Sequence, residues 1–190
     1  MKYLGRIAAV STVLVVAAVS FVLLPDQSQA ASTSGFDPAR IIDDHVFFNE
    51  DSMSISQIQQ FLNSKVPSCD TNGDKYYNGV LRKNYSSSNK PPYTCLKDYY
   101  ENPTTHANNY GNRSKPDGAR SAAWLIRDAA ERHGINPQVL IVFLQKEQGL
   151  ITDDWPWERQ YEIAMGYGCP DTAPCDDEYY GFANQVNKAA

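Results

Sequence analysis

Apolar positions along the chain fall into distinct regimes. Ile7 to Leu24 is almost unbroken apolar sequence, interrupted only by Ser11, Thr12 and Ser20. Further on, Ile55, Ile58, Phe61 and Leu62 recur at helical spacing, which predicts a short amphipathic helix over about 55–64. Ser54 with Gln57 three residues later is a capping-box pattern at its start. From Pro67 to Asp117 the periodicity disappears, and Asn, Ser, Pro, Gly and Tyr dominate.

The last third is helical again. Ala122, Leu125, Ile126, Ala129 and Ala130 form one stripe of a helix predicted over about 118–133, with Gly134 as its stop. Asn136 as cap and Pro137 at the first position start a second helix, which runs to Gln148 and ends at Gly149. Its Val139 to Leu144 stretch is apolar on every side, which predicts a central, buried helix. Shorter helices are expected near Pro156 and from Tyr179 onward. The last one reaches Ala190 with no cap or breaker, which reads as a helical core cut short or a short form of a longer protein.

The N-terminus changes the picture of where the chain works. Lys2 and Arg6 precede the apolar run, and Ser28-Gln29-Ala30 follows it as a small-x-small site. That order is a secretory signal over 1–30, with an uncleaved membrane anchor as the alternative. Either way the remainder is exported, and the membrane is met only through this segment. Without Lys2, Arg6 and Asp26 the chain keeps 15 basic and 21 acidic residues, a net of −6, so it lacks the basic footprint of a nucleic-acid binder. The 160 residues after Ala30 suffice for one domain with a real core.

Cys69, Cys95, Cys169 and Cys175 are an even set in an exported chain, which points to two disulfides. Pairing of nearest neighbours is the simplest of the three connectivities. No CxxC occurs and His45, His106 and His133 are scattered, so no metal centre is expected. "DTNGDKYYNGVL" places Asp70, Asn72 and Asp74 as in a calcium loop, but Lys75 and Leu81 occupy the positions that need Gly and Glu. It reads as a turn. The seven tyrosines of this region offer rings for sugar faces, yet a thin core with wet hydroxyls is the reading favoured for most of them.

Glu147 is the candidate with chemistry. It follows Phe143 by four residues and Leu144 by three, so it extends an apolar face at the end of its helix. Apolar neighbours and the negative end of the helix dipole both disfavour its charged form. A carboxylic acid kept protonated is what cleavage of a glycosidic bond requires. An ordinary solvated last-turn glutamate, paired with Lys146, is the alternative on spacing alone.

"NPQVLIVFLQKEQGL", followed by "AMGYG" and "YGFANQVNKAA", resembles the core of the lysozyme-like superfamily, nearest in pattern to soluble lytic transglycosylases and goose-type lysozymes. The resemblance covers about 119–190. It implies a mainly α, α+β lysozyme-like fold, with a helical catalytic core at 118–190 and a loop-rich, disulfide-tied segment at 31–117. In such proteins the buried helix ends in Glu-Ser-Gly, and its glutamate is the catalytic acid. Glu147 matches that residue, Gln148 stands in place of the Ser, and Gly149 matches the Gly. Ala164 to Gly168 sits where a substrate-binding turn is expected, so Met165, Gly166 and Tyr167 join Gln148 as substrate-binding candidates. The usual Met-Gln pair is missing from that turn. Peptidoglycan glucosaminidases of the same clan are also similar, and Tyr180-Gly181-Phe182 echoes their aromatic segment.

The resemblance implies cleavage of the bond between N-acetylmuramic acid and N-acetylglucosamine in peptidoglycan strands. In a lytic transglycosylase Glu147 would protonate the leaving oxygen, then take a proton from the sugar's C6 hydroxyl as a 1,6-anhydro ring closes. That route calls for no cofactor, and a monomer suffices. A hydrolase would need a second group, with Asp153, Asp154, Glu158 and Asp171 as candidates. Trp155, Trp157, Tyr161 and Tyr167 are the candidate ring surfaces for sugars, each equally suited to a place in the core. A binding protein that has lost the chemistry is the reading from another class.

Overall fold

The computed structural model describes residues 40–112 and 114–190. The signal-like segment, its cleavage site and the linker up to Ala39 lie outside the described residues. The rest is built from short helices: α1 (Asp44–Phe47), α2 (Ile55–Lys65), α3 (Arg82–Tyr85), α4 (Ala122–His133), α5 (Pro137–Gln148), α6 (Glu158–Glu162) and α7 (Phe182–Ala189). Strands are confined to two antiparallel pairs, β1 (Tyr76–Tyr77) with β2 (Val80–Leu81) and β3 (Tyr100–Glu101) with β4 (Arg120–Ser121). About 43% of the described chain is helical, so the fold is mainly α, as expected.

Local chemistry sets the helix ends. The Ser54 hydroxyl accepts from Gln57 N at 3.3 Å, and the Gln57 side chain accepts from Ser54 N at 2.8 Å, so both arms of the capping box form. Asn136 Oδ1 accepts from Gln138 N at 2.8 Å ahead of Pro137, and Gly149 closes α5 in the left-handed region at φ +68°. The start of α4 differs from expectation. Arg120 and Ser121 do not enter the helix, because they pair with Glu101 and Tyr100 as β4. The Ser121 hydroxyl then caps α4 by accepting from Trp124 N. The last helix also starts later than Tyr179: Asp177–Tyr179 is a single 3-10 turn, and Gly181 at φ +103° separates it from α7.

Packing corrects one further expectation. The central helix is α4, because α2, α5 and α7 all pack against it. Its predicted stripe of Ala122, Leu125, Ile126, Ala129 and Ala130 is fully buried. The α5 helix is not buried all round: Leu140, Ile141 and Leu144 face the core, while Val142 is 63% and Phe143 43% exposed. An apolar sequence on every side does not itself provide a neighbour on every side. Here α5 lies at the edge of the helical layer and keeps an open face.

The loop-rich region packs into the same compact unit, which spans Arg40–Ala190. Its ties are specific. The disulfide Cys69–Cys95 closes a 26-residue span, and Cys169–Cys175 closes a short one, the nearest-neighbour pairing. Asp70, buried, accepts from Asp74 N and Lys75 N and so holds the turn that leads into the β1–β2 hairpin. Tyr93 and Tyr99 lie in the core, whereas Tyr76, Tyr77 and Tyr85 stay exposed. Replacing Cys69 and Cys95 together with alanine is expected to lower the unfolding free energy by about 2–4 kcal/mol, measured by urea denaturation. An unchanged midpoint would mean that the buried tyrosines hold the loop without the bridge.

Candidate functional site

The end of α5 is held from both directions. Leu144 is fully buried one turn before Glu147, and Leu150 and Ile151 return the chain to the core immediately after Gly149. Glu147 therefore sits on a rigid corner. Its side chain is 32% exposed, and its Oε1 lies 3.3 Å from Lys146 Nζ. The expected apolar enclosure is absent: the carboxylate is open to solvent and has a cation beside it. Sequence spacing placed the residue on an apolar face, but that face is the exposed one that carries Phe143.

Across from Glu147 runs the Ala164–Gly168 turn. A β-carbon built on Gly166 would lie 3.3 Å from Glu147 Oε2, so the turn's backbone passes directly beside the carboxylate. Gly166 adopts φ +69°, a region that L side chains rarely visit. Gly168 allows a second close approach, since a β-carbon there would meet the Tyr179 ring at 2.3 Å. An open cavity of about 580 Å³ lies between this turn, the Cys169–Cys175 loop and Tyr179. Glu178, by hydrogen bond and by charge, pushes the Tyr179 phenol up to about 12, so at neutral pH this ring at the cavity edge carries no charge.

One side chain holds the turn in place. Gln185, fully buried on α7, accepts from Met165 N at 3.2 Å and Tyr167 N at 3.0 Å. It donates to Tyr167 O at 2.9 Å and Tyr179 O at 2.8 Å. The helix that carries it is anchored by Glu101, which accepts from Phe182 N and Ala183 N at its first turn. Neither residue emerges from a search for chemical motifs. Gln185 does leave a signal, as a polar residue three positions after Phe182 and one before Val186, on the buried face of α7. Glu101 leaves none, because it sits in a stretch without periodicity.

The expected site residues divide into groups. Glu147, Gly166 and the 39%-exposed Tyr167 come together at the open edge. Met165 is buried and contributes backbone only. Gln148 presents its carbonyl to Gln160 Nε2 at 2.7 Å, which ties the end of α5 to α6. Tyr161 is no sugar platform. It is 2% exposed, stacked on Tyr99 at 4.2 Å with its hydroxyl on Thr94 O, and burial pushes its phenol far up. Its spacing in α6 turns it inward, where the ring fills the core.

Trp155 and Trp157 belong to an aromatic cluster with Tyr77 and Tyr85 from the hairpin and α3. Arg82 backs the cluster at 4.8 Å from the Trp155 ring and reaches Asp154 at 2.6 Å and Asp70 at 3.3 Å. Two of the four second-carboxylate candidates, Asp153 and Asp154, have structural partners. Asp153 accepts from Trp155 N and Gln160 Nε2, each at 3.0 Å, and Asp154 is paired with Arg82 and Lys75. Burial alone would raise Asp154, but hydrogen bonds and charge from Lys75 and Arg82 outweigh it and hold the carboxyl below its ordinary range.

The family model described as "LasA, N-terminal domain" matches residues 40–190, and the chain belongs to that family. No curated protein and no solved structure gives a match. The two disulfides fit an oxidising, extracellular setting.

The depressed Asp154 carboxyl makes a pH-dependent contribution. A folded-state value below the unfolded 3.8 stabilises the protein fully above the unfolded value, and that stability is lost as pH falls through the folded one. In Asp154→Asn the drop in melting temperature between about pH 5 and pH 3 is therefore expected to be smaller than in the wild type. An equal drop in both would show that the Arg82–Asp154 pair does not contribute to acid sensitivity.

Proposed function

We propose that this chain is an exported protein that cleaves peptidoglycan glycan strands, with Glu147 as the acid and base of a lytic transglycosylase on a lysozyme-like fold. The observation that carries the reading is the Glu147 carboxylate at a rigid helix corner, open to solvent and faced by the Gly166 backbone. A saccharide laid along that turn would meet the Glu147 carboxyl group. Membership of the LasA N-terminal domain family supports an extracellular, cell-wall-related role.

A single-acid route is favoured over a two-carboxylate hydrolase because Asp153 and Asp154 are already engaged in structural bonds. In the single-acid route Glu147 gives its proton to the oxygen that leaves C1 of N-acetylmuramic acid. The carboxylate that results then removes the C6 hydroxyl proton as C6 oxygen bonds to C1, so no water is consumed. Gly166 and Tyr167 line the approach, and Trp155 and Trp157, with Tyr77 and Tyr85, extend an aromatic surface on the hairpin side. The Lys146 ammonium lies 3.3 Å from the Glu147 carboxylate, and this ion pair supports the second reading: a cell-wall-binding protein without the chemistry.

Purified peptidoglycan digested with wild type and with Glu147→Gln separates these readings by mass spectrometry of the released fragments. Anhydro-muramic products from the wild type are expected, reduced by about 10²–10⁴-fold in the variant. Reducing-end products would replace the transglycosylase by a hydrolase. Retention on peptidoglycan with no products from either protein would leave only the binding reading.

A further inference from the structure

We propose that Gln185 is a positioning residue for Glu147, acting through the Gly166 turn. The proposal rests on the reading of Glu147 as the reactive acid. A glutamine amide can accept through its oxygen and donate through both N–H bonds. Gln185 uses all of that capacity on one segment and its neighbour: Met165 N, Tyr167 N, Tyr167 O and Tyr179 O. Tyr167 is thus held by its own N–H and its own carbonyl, as a peptide is held in a sheet. The residue between the clamped positions is Gly166, whose backbone passes Glu147 Oε2.

The clamp itself is fixed. Gln185 N donates to Gly181 O at 2.9 Å inside the first turn of α7. That turn is pinned by Glu101, which also accepts from Tyr99 OH at 2.6 Å and faces His106 Nδ1 at 3.0 Å. Gly181 has no room for a side chain, since a β-carbon there would lie 3.1 Å from Glu101 Oε1. The path from the β3–β4 pair to the carboxylate is therefore continuous: Glu101, the start of α7, Gln185, the turn, Glu147. Loss of the amide removes every bond to Met165 N, Tyr167 N and Tyr167 O, and leaves the turn attached by its chain ends and by the backbone bonds Gly166 N to Ile163 O, Cys169 N to Gly166 O and Asp176 N to Gly168 O. The surface that a substrate would meet beside Glu147 then loses its defined position, while Glu147 and its helix keep theirs.

The test uses Gln185→Met, which keeps length without the amide, and Gln185→Glu, which keeps the acceptor and loses both donors. Steady-state cleavage of solubilised glycan strands is measured well below each protein's melting temperature, on samples whose near-UV circular dichroism matches the wild type. Expected is a fall in kcat of about 10- to 100-fold, the cost of a displacement of roughly 1 Å, with KM changed by less than about threefold. Gly166→Ala combined with Gln185→Met is expected to lose less than the two single losses together, because both act on one turn. A merely structural role would lower the melting temperature and leave kcat within about twofold of wild type, and that result overturns the proposal. Fully additive losses in the double variant overturn it as well. If the wild type releases no fragments, or Glu147→Gln still releases them, the cleavage reading fails and the positioning role fails with it. Unchanged kcat in the Gln185 variants alongside an inactive Glu147→Gln sinks the positioning role alone.

Discussion

Burial of the Glu101 carboxylate organises the half of the molecule that carries the site. A carboxylate out of water costs several kcal/mol unless its oxygens are matched by donors. Glu101 is completely inaccessible, and Tyr99, Phe182 and Ala183 supply three donors, with His106 against the remaining lone pair. Those groups come from the residue just before β3, from the loop after it and from the start of α7. The carboxylate can be satisfied only when all three are in place, so its burial joins segments 81 residues apart in one geometry. It also faces the positive end of the α7 backbone dipole, the favourable orientation for a negative group.

The remaining structure follows the same division of labour. The α4 helix provides an apolar surface on which α2, α5 and α7 pack, and this hydrophobic contact gives the fold its bulk stability. Position is then set by polar groups at the seams. Gln185 joins α7 to the Ala164–Gly168 turn, Gln160 joins the end of α5 to the start of α6, and Arg82 joins Asp70 to Asp154. Each is a long side chain that spans two segments and satisfies backbone or carboxylate groups on both. Glu147 stands beside the first two of these seams, on a helix end fixed by core residues and next to a turn fixed by an amide. A carboxylate on a rigid support that also remains open to solvent suits the polymeric substrate proposed for it.

Helix existence and helix ends were largely legible. The Ser54 and Gln57 box, the Asn136 cap with Pro137, and the glycines at 134 and 149 are local devices that act within a few residues, so one-dimensional sequence contains them entirely. The cysteine pairing was legible for a related reason, since nearest neighbours close the shortest loops. The rank of the helices was not. The apolar run in α5 is longer than the alanine-rich stripe of α4, yet small residues on α4 admit α2, α5 and α7 closely, while Val142 and Phe143 stay exposed. The same limit left Tyr161 between sugar surface and core, because its ring meets Tyr99 only after two distant segments pack.

Sequence alone determined that α2, α4 and α5 are helical, most of their ends, and that Glu147 ends an apolar helix, and it offered nearest-neighbour cysteine pairing as the simplest of three connectivities. These depend on propensity, capping and short-range loop closure, and all of them operate along the chain. The tertiary structure alone decided that Glu147 is open rather than enclosed, that the Gly166 backbone lies beside it, and that Glu101 and Gln185 hold that approach. Those facts depend on which surfaces meet, and on long polar side chains that find partners across gaps of 18 to 82 residues, distances over which no local pattern carries information.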